Sequence, residues 1–201
     1  MELDHLAVSG VTLEDACGAV ETALGVRMQA GGHHPLFGTH NTLLALDGGL
    51  YIEAIAIDPQ APAPTRPRWF DLDCFTGPAA LTNWICRTDD LIAELAGTPC
   101  ELGTPIALSR GDLRWSMAVP ESGRLPYDNL HPALIQWQGD LHPGTMLEPR
   151  GCALRRLTIA HPDAKVLQSQ LPLNDARVVF EVGPAAMMAE IQTPGGMRVL
   201  Q

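Results

Sequence analysis

The sequence predicts an α+β fold in which repeated βαβββ modules form curved mixed sheets around a cleft, the third module being shorter than the other two. Three observations predict it. First, a strand-like opening followed by a helix recurs: Leu3-Asp4-His5-Leu6-Ala7-Val8 with a helix from Thr12, Leu81-Thr82-Asn83-Trp84-Ile85-Cys86 with a helix from Asp89, and Leu154-Arg155-Arg156-Leu157-Thr158-Ile159 with a helix from Pro162. Self-similarity of this kind marks a modular architecture and outranks any single motif. Second, each opening is trailed by short apolar runs separated by turn residues, the signature of strands and hairpins. Third, a sheet built from such units has an apolar face that another sheet must cover, and two curved sheets meeting in this way enclose a cleft.

In the first module, residues 1–58, the opening strand covers Leu3 to Ser9. Thr12, followed three residues later by Asp15, caps a helix whose Leu13, Ala16, Val20 and Leu24 share one face, and Gly25 ends it. Strands are expected at Thr42 to Leu46 and Leu50 to Ile57, joined through Asp47-Gly48-Gly49, with Gly31-Gly32-His33-His34-Pro35 before them as a loop that leaves the two histidines solvated. Residues 59–80 are rich in proline and carry Trp69-Phe70, which predicts an ordered connector pinned by aromatic side chains. The second module, 81–150, places a helix from Asp89 to Ala96 and strands at Glu101 to Leu108, Leu113 to Val119 and Pro132 to Trp137. The third, 151–201, has a strand to Ala160, a helix from Pro162 to Leu171, and strands at Arg177 to Val182, Met187 to Gln192 and Met197 to Leu200. The whole reads as one continuous domain whose spare sheet edge is compatible with a homodimer.

Bulk composition narrows the function. With 46% hydrophobic and 18% charged residues the chain has the make-up of an ordinary water-soluble globule, and no apolar run approaches the ~20 residues that span a bilayer. Thirteen basic against twenty-three acidic residues give a formal charge of −10, which disfavours nucleic acid as a partner and leaves a small molecule as the expected one. The opening residues lack the basic and apolar regions of a secretory signal, which predicts a cytoplasmic location. The five cysteines are an odd number without a CxxC pair, so neither a disulfide framework nor a zinc knuckle is indicated.

Alternate residues of a strand face the same side, so His5 on the first strand of module one and Glu53 on its last can converge in the cleft. Glu53 interrupts the apolar run Leu50 to Ile57, where a carboxylate has to be paired, bound to a metal or placed against water. A histidine and a carboxylate in one place supply half of a divalent-metal shell. Matching the modules puts Asn83 at the place of His5 and Gln136 at the place of Glu53, making these two amides candidates for substrate binding. His40, in the polar entry Gly38-Thr39-His40-Asn41, is a further candidate for ligating a metal or binding substrate. Arg114, beside Trp115 on the hairpin that also carries Arg110, could hold an anionic or carbonyl-rich molecule. His131 and His142 each precede a proline and read as turn residues. No phosphate-binding glycine loop, serine-hydrolase elbow or zinc-protease helix motif is present.

The paired modules, with His5 and Glu53 so placed, resemble the vicinal oxygen chelate (glyoxalase, bleomycin resistance, dioxygenase) superfamily. Gly38-Thr39-His40-Asn41, Tyr51-Ile52-Glu53, Pro67-Arg68-Trp69-Phe70 and Asn83-Trp84-Ile85-Cys86-Arg87-Thr88-Asp89-Asp90-Leu91 are similar to its bacterial glyoxalase-like group. The resemblance implies a divalent metal (Zn, Ni, Mn or Fe) held by strand residues, here His5, Glu53 and His40. It also implies isomerase, lyase or ring-opening chemistry on a small oxygenated metabolite, with Glu53 and His5 as the catalytic pair. Asn83 and Gln136 depart from the pattern, because neutral amides are weak ligands for such metals. That departure favours the other function the fold serves, metal-free binding or sequestering of a small molecule.

Overall fold

The computed structural model describes residues 1–201. Module one contains β1 (Glu2–Ser9), α1 (Leu13–Leu24), β2 (Gln29–His34), β3 (Thr39–Ala45) and β4 (Tyr51–Ile57). Module two contains β5 (Ala80–Arg87), α2 (Leu91–Gly97), β6 (Thr104–Arg110), β7 (Leu113–Val119) and β8 (Ala133–Gln138), followed by the short α3 (Pro143–Met146). These eight strands form one curled sheet in the order β2-β3-β4-β1-β5-β8-β7-β6. β1 lies parallel to β4, β5 lies parallel to β8, and β1 and β5 run antiparallel at the centre, so the two modules are related by a pseudo-twofold between their first strands. Curling brings the outer strands together: Arg110 at the end of β6 reaches His34 on β2 and Asn41 on β3.

The local sequence explains the elements. Thr12 Oγ1 accepts from the Asp15 backbone N–H at 3.1 Å and opens α1, while Gly25, at φ 68°, closes it by donating its N–H to Glu21 O. The segment expected as a loop at Gly31 to Pro35 is instead mostly the edge strand β2. Its glycines are needed for contact: a Cβ on Gly31 would lie 2.1 Å from Asn41 Oδ1, and one on Gly32 would lie 2.6 Å from Arg110 Cδ. Bare backbone here lets two side chains of the cleft close in.

The face of the sheet away from the cleft holds Leu6, Ile52, Trp84 and Leu134, all fully buried. Complete burial of an aliphatic side chain contributes about 1.5–3 kcal/mol, and Trp84 keeps its polar edge satisfied by donating Nε1–H to Leu130 O at 2.8 Å. The apolar face of α1, formed by Ala16, Val20 and Leu24, covers part of this surface. The remainder of the chain covers more: β9 (Ala153–Ala160), α4 (Ala164–Gln170), β10 (Val178–Glu181), β11 (Ala186–Thr193) and β12 (Gly196–Leu200) form a second, four-stranded sheet, with Phe180 edge-on to Trp84. This third unit has the element order βαβββ but not the same pairing. Its strand order is β10-β9-β11-β12, so its opening strand is interior and lies parallel to the strand that follows its helix. All five cysteines are free, and no helix is long and apolar enough to cross a membrane.

Residues 59–79 form an ordered strap across the cleft. Trp69–Asp71 make a 3-10 turn in which Phe70 and Asp71 have φ of 60° and 57°. Left-handed backbone at non-glycine residues costs of order 1–3 kcal/mol and persists only where the surroundings over-determine it. Here Trp69 stacks on Phe37 at 4.2 Å, Asn129 Nδ2 donates to Phe70 O, and Asp71 N–H donates to Gly123 O. Gly123 is at φ 77°, and a Cβ there would lie 1.9 Å from Arg68 O. Gly123→Ala is therefore expected to lower unfolding stability by about 2 kcal/mol or more, measured as a reduced urea midpoint at unchanged m-value; an unchanged midpoint would mean the strap is not clamped at this point.

Candidate functional site

The cleft is a narrow cavity of about 30 Å³, room for one or two water molecules. Its polar lining comes from module one and the tip of β6: His5, His34, Asn41, Tyr51, Glu53 and Arg110. The rest is apolar or aromatic: Trp69 and Phe70 from the strap, Trp115 and Met117 from β7, Ile135 and Trp137 from β8.

His5 is held from behind by a carboxylate. Its Nδ1–H donates to Asp4 Oδ1 at 2.6 Å, and its ring stacks on Tyr51 with centroids 4.3 Å apart. Neighbours on a regular strand point to opposite faces, yet Asp4 and His5 meet. The register explains this: Leu3 pairs with Cys86 and His5 with Ile85, leaving Asp4 as the extra residue of a β-bulge. Asp4 Oδ2 also accepts from Trp137 Nε1–H at 3.0 Å and from His142 Nε2–H at 2.9 Å. His142 keeps that tautomer because its Nδ1 accepts the Gly144 N–H, so the residue expected at a turn both caps α3 and supports the cleft.

Glu53 sits on the other side of His5, with Oε2 3.7 Å from His5 Nε2, a charge contact wider than a hydrogen bond. Asn41 Nδ2 donates to Glu53 Oε1, while Asn41 Oδ1 accepts from Arg110 Nη1 at 3.1 Å and from Gly32 N–H at 2.8 Å. Burial works against the charged form of both groups. For His5 it is outweighed by the hydrogen bond and charge of Asp4 and by Glu53, and the imidazole pKa is raised. For Glu53 it is outweighed chiefly by His5, and the carboxyl is held down at about 2. Asp4, also buried, is held well below the usual carboxylate range by His142 and His5. His34 behaves oppositely: burial, helped by Arg110 nearby, lowers its pKa to about 4, so at neutral pH it is an uncharged ring beside a guanidinium.

The structure brings His5 and Glu53 together and disperses the other residues picked from the sequence. His40 faces away: its neighbour Asn41 lines the cleft, so His40 projects from the opposite side of β3 into a separate groove with Val11, Thr12, Leu13 and Ile57. Gln136 also faces away, because Ile135 and Trp137 line the cleft; its amide donates to Asp89 O and accepts the Leu91 N–H at the start of α2. Matching Glu53 to Gln136 was one residue out of register, which on a strand reverses the face. Asn83 is fully buried and exchanges hydrogen bonds with Asn129, the residue that holds Phe70 O, so it supports the strap and does not line the cavity. Arg114 is exposed and donates to Gly111 O and Leu113 O; Arg110, at the end of the preceding strand, is the arginine that enters the cleft. His34, expected in solvent, is buried in the site, and His131 is buried outside it, donating Nδ1–H to Pro132 O. Strand alternation through β2 and β3 was the signal that separates His34 and Asn41 from His33 and His40. The bulge that turns Asp4 inward left no sequence signal.

The donor set bears on metal use. His5 Nε2 and Glu53 Oε2 converge without a third His or acidic ligand atom: His34 also lines the cavity, but its Nδ1 is engaged with Thr39 Oγ1 and its Nε2 with Arg110, and the cleft-facing positions of β8 carry Ile135 and Trp137. Zinc and its neighbours require three or four imidazole or anionic donors. These residues do not make such a set.

The charges give the fold a specific pH dependence. As pH falls through 6.5 the unfolded chain takes up a proton at His34 that the folded chain refuses until about 4, so stability present above 6.5 is lost across that interval. His131, lowered by burial, acts in the same direction. His5 acts oppositely, keeping its contribution below 6.5 and losing it as pH rises through its raised pKa. Glu53 begins to lose its contribution only below 4.5, on the way to about 2. Between pH 6.5 and 4.5, His34→Gln should make unfolding free energy less dependent on pH, by up to about 1.4 kcal/mol per pH unit, in urea titrations at stepped pH; an unchanged slope would show that His34 already carries a proton there.

With the geometry in place, comparison identifies the family. The chain belongs to the glyoxalase-like domain family, whose model matches residues 3–174. No curated protein matches the chain. Among solved structures it is similar in fold to a hypothetical protein from Staphylococcus aureus, with a TM-score of 0.62 and 15% identity over 92% of this chain and 86% of that one. It also matches methylmalonyl-CoA epimerase from Mycobacterium tuberculosis, with a TM-score of 0.46 and 18% identity over 69% of this chain and 88% of that one.

Proposed function

We propose that this glyoxalase-like protein is a metal-independent isomerase or lyase that moves a proton at the carbon beside a carbonyl, on a small oxygenated metabolite carrying an anionic group. The observation that carries the reading is the 3.7 Å separation of a buried carboxylate and a buried imidazole whose pKa values are pushed apart, Glu53 down and His5 up. An ionised acceptor thus lies beside a protonated donor, so that one substrate bound against both can lose a proton to the first and gain one from the second. Oppositely shifted titratable pairs in a cleft are the usual mark of acid–base assignment.

In this reading the substrate displaces the Trp69–Phe70 strap far enough to occupy the cavity, and its anionic group takes the donors of Arg110 that Asn41 and His34 leave free. Glu53 accepts the proton from carbon. As it stands the carboxylate is a weak base, but a substrate bound against both groups draws the Nε2–H of His5, its strongest stabilising partner, away from it and raises its proton affinity. His5 donates its Nε2 proton to the developing enolate oxygen, and Asp4 retains the resulting neutral ring in position through Nδ1. Arg110 and the imidazolium stabilise the enolate charge, and the indole walls keep water out and the local dielectric low. No step requires a metal, in keeping with the incomplete donor set.

The test is solvent exchange. In D2O, wild-type protein stripped of metal should incorporate deuterium at the carbon next to the carbonyl of one member of a panel of 2-oxo and 2-hydroxy acids, read by mass spectrometry. Glu53→Gln should reduce the rate by about 100-fold or more with little change in KM, and Arg110→Ala should chiefly raise KM. Exchange that appears only on adding a divalent metal would overturn the metal-independent reading. Ligands that raise the melting temperature without any exchange would replace the enzyme by a small-molecule binding protein.

A further inference from the structure

We propose a divalent transition-metal site on the outer face of the sheet, formed by His33, His40 and Asp58 and separate from the cleft. β2 and β3 pair so that His33 lies directly across from His40, and Asp58 immediately follows Ile57, the partner of Thr39, at the end of β4. Three adjacent strands therefore deliver two imidazoles and one carboxylate to one place, and one ligand atom from each lies within 4.8 Å of the others. Tetrahedral zinc at about 2.0 Å needs donors about 3.3 Å apart. The His33 side chain, 68% exposed and held only by its contact with Asp58 Oδ2, can exchange that contact for a metal and close the difference.

Two further features indicate that the place is built for a ligand. His40 Nε2 is buried with no hydrogen-bond partner, whereas buried polar atoms are almost always satisfied by protein, water or an ion. Asp58 is already oriented: its Oδ1 accepts the Gln60 N–H at 2.9 Å, leaving Oδ2 turned toward His33 Nδ1 at 2.8 Å. A fixed carboxylate is the arrangement that outer hydrogen bonds give to metal ligands. Two neutral imidazoles and one carboxylate suit Zn²⁺, Co²⁺ or Ni²⁺ and would leave a coordination position open. His40 also lines the groove of about 700 Å³ formed with Val11, Thr12, Leu13, Glu14 and Cys17, so that position would be reached from the groove.

Cobalt provides a direct readout, because its visible absorption reports ligation without reference to activity. Tag-free, metal-stripped protein titrated with Co²⁺ should bind one equivalent with the intense absorption of a tetrahedral or five-coordinate site. His33→Ala and Asp58→Asn should each weaken binding by about tenfold or more; His33 is too exposed for its loss to unfold the chain, and Asp58→Asn keeps the side-chain shape. His40→Gln should abolish the absorption at unchanged circular dichroism. His5→Ala and Glu53→Gln, in the cleft, should leave it intact. Absence of binding at 100-fold excess over protein, or binding insensitive to His33→Ala and Asp58→Asn, would overturn the site. Loss in His5→Ala and Glu53→Gln alone would place the ion in the cleft and overturn both this site and the metal-independent mechanism, whereas failure of the outer site by itself leaves that mechanism standing.

Discussion

A carboxylate with no exposed surface is tolerated only where donors replace the water it has lost, and at Asp4 three do so: His5, Trp137 and His142. Those donors come from β1, β8 and the segment entering α3, so one carboxylate ties the first strand of module one to the last strand of module two and to the chain that leaves it. The interaction depends on the bulge that turns Asp4 to the side of His5. Without it Asp4 would face the apolar layer of Leu6 and Trp84, where no donor waits, and His5 would lose both its fixed Nδ1 proton and the charge that favours its second one.

The consequence is a cleft with unequal halves. The fold is pseudo-symmetric, but polar groups enter from module one and from Arg110 alone, while module two supplies Trp115, Met117, Ile135 and Trp137. The cleft therefore holds a carboxylate–imidazole pair facing an aromatic wall. The strap completes that wall, and its left-handed Phe70 is kept in place by Asn129, itself in a run of left-handed residues and anchored on Asn83. Asn83, matched to His5 in the sequence, thus serves as a foundation for the strap over the site.

Period and punctuation made most of the fold legible. Thr12 and Gly25 marked α1, the Leu113–Val119 strand lies where alternation put it, and the order of the modules was readable from their repeated openings. What could not be read was whatever depends on pairing. The third unit repeats the element order, but its sheet is wired differently, since hydrogen-bond partners are not written into a strand's own residues. The same holds at the site. His5 and Glu53 stood out because a charged or polar residue in an apolar run demands explanation, whereas Gln136 was assigned to the wrong face by a single-residue slip and Asp4 was hidden by a bulge. His40 was grouped with His5 although strand parity sends it outward, toward His33 and Asp58.

Charge balance limits what the cleft can accept. Asp4 and Glu53 are ionised, and Arg110, with His5 in the protonated form that its carboxylate neighbours favour, returns two positive charges, so the lining is then close to neutral although the chain carries −10 overall. An anion approaching the molecule is repelled at long range, but that field is screened within about 8 Å in physiological salt, and inside the cleft it meets the guanidinium of Arg110, whose Nη1 alone is engaged, and the imidazole of His5. A cationic substrate would meet those same groups and gain only Glu53. A neutral carbonyl compound would be held by stacking on the indoles but would leave Arg110 without an anionic partner. The arrangement therefore favours a substrate with a carbonyl oxygen at one end, for His5, and a carboxylate or similar group at the other, for Arg110. The transferred proton would lie between them, within reach of Glu53.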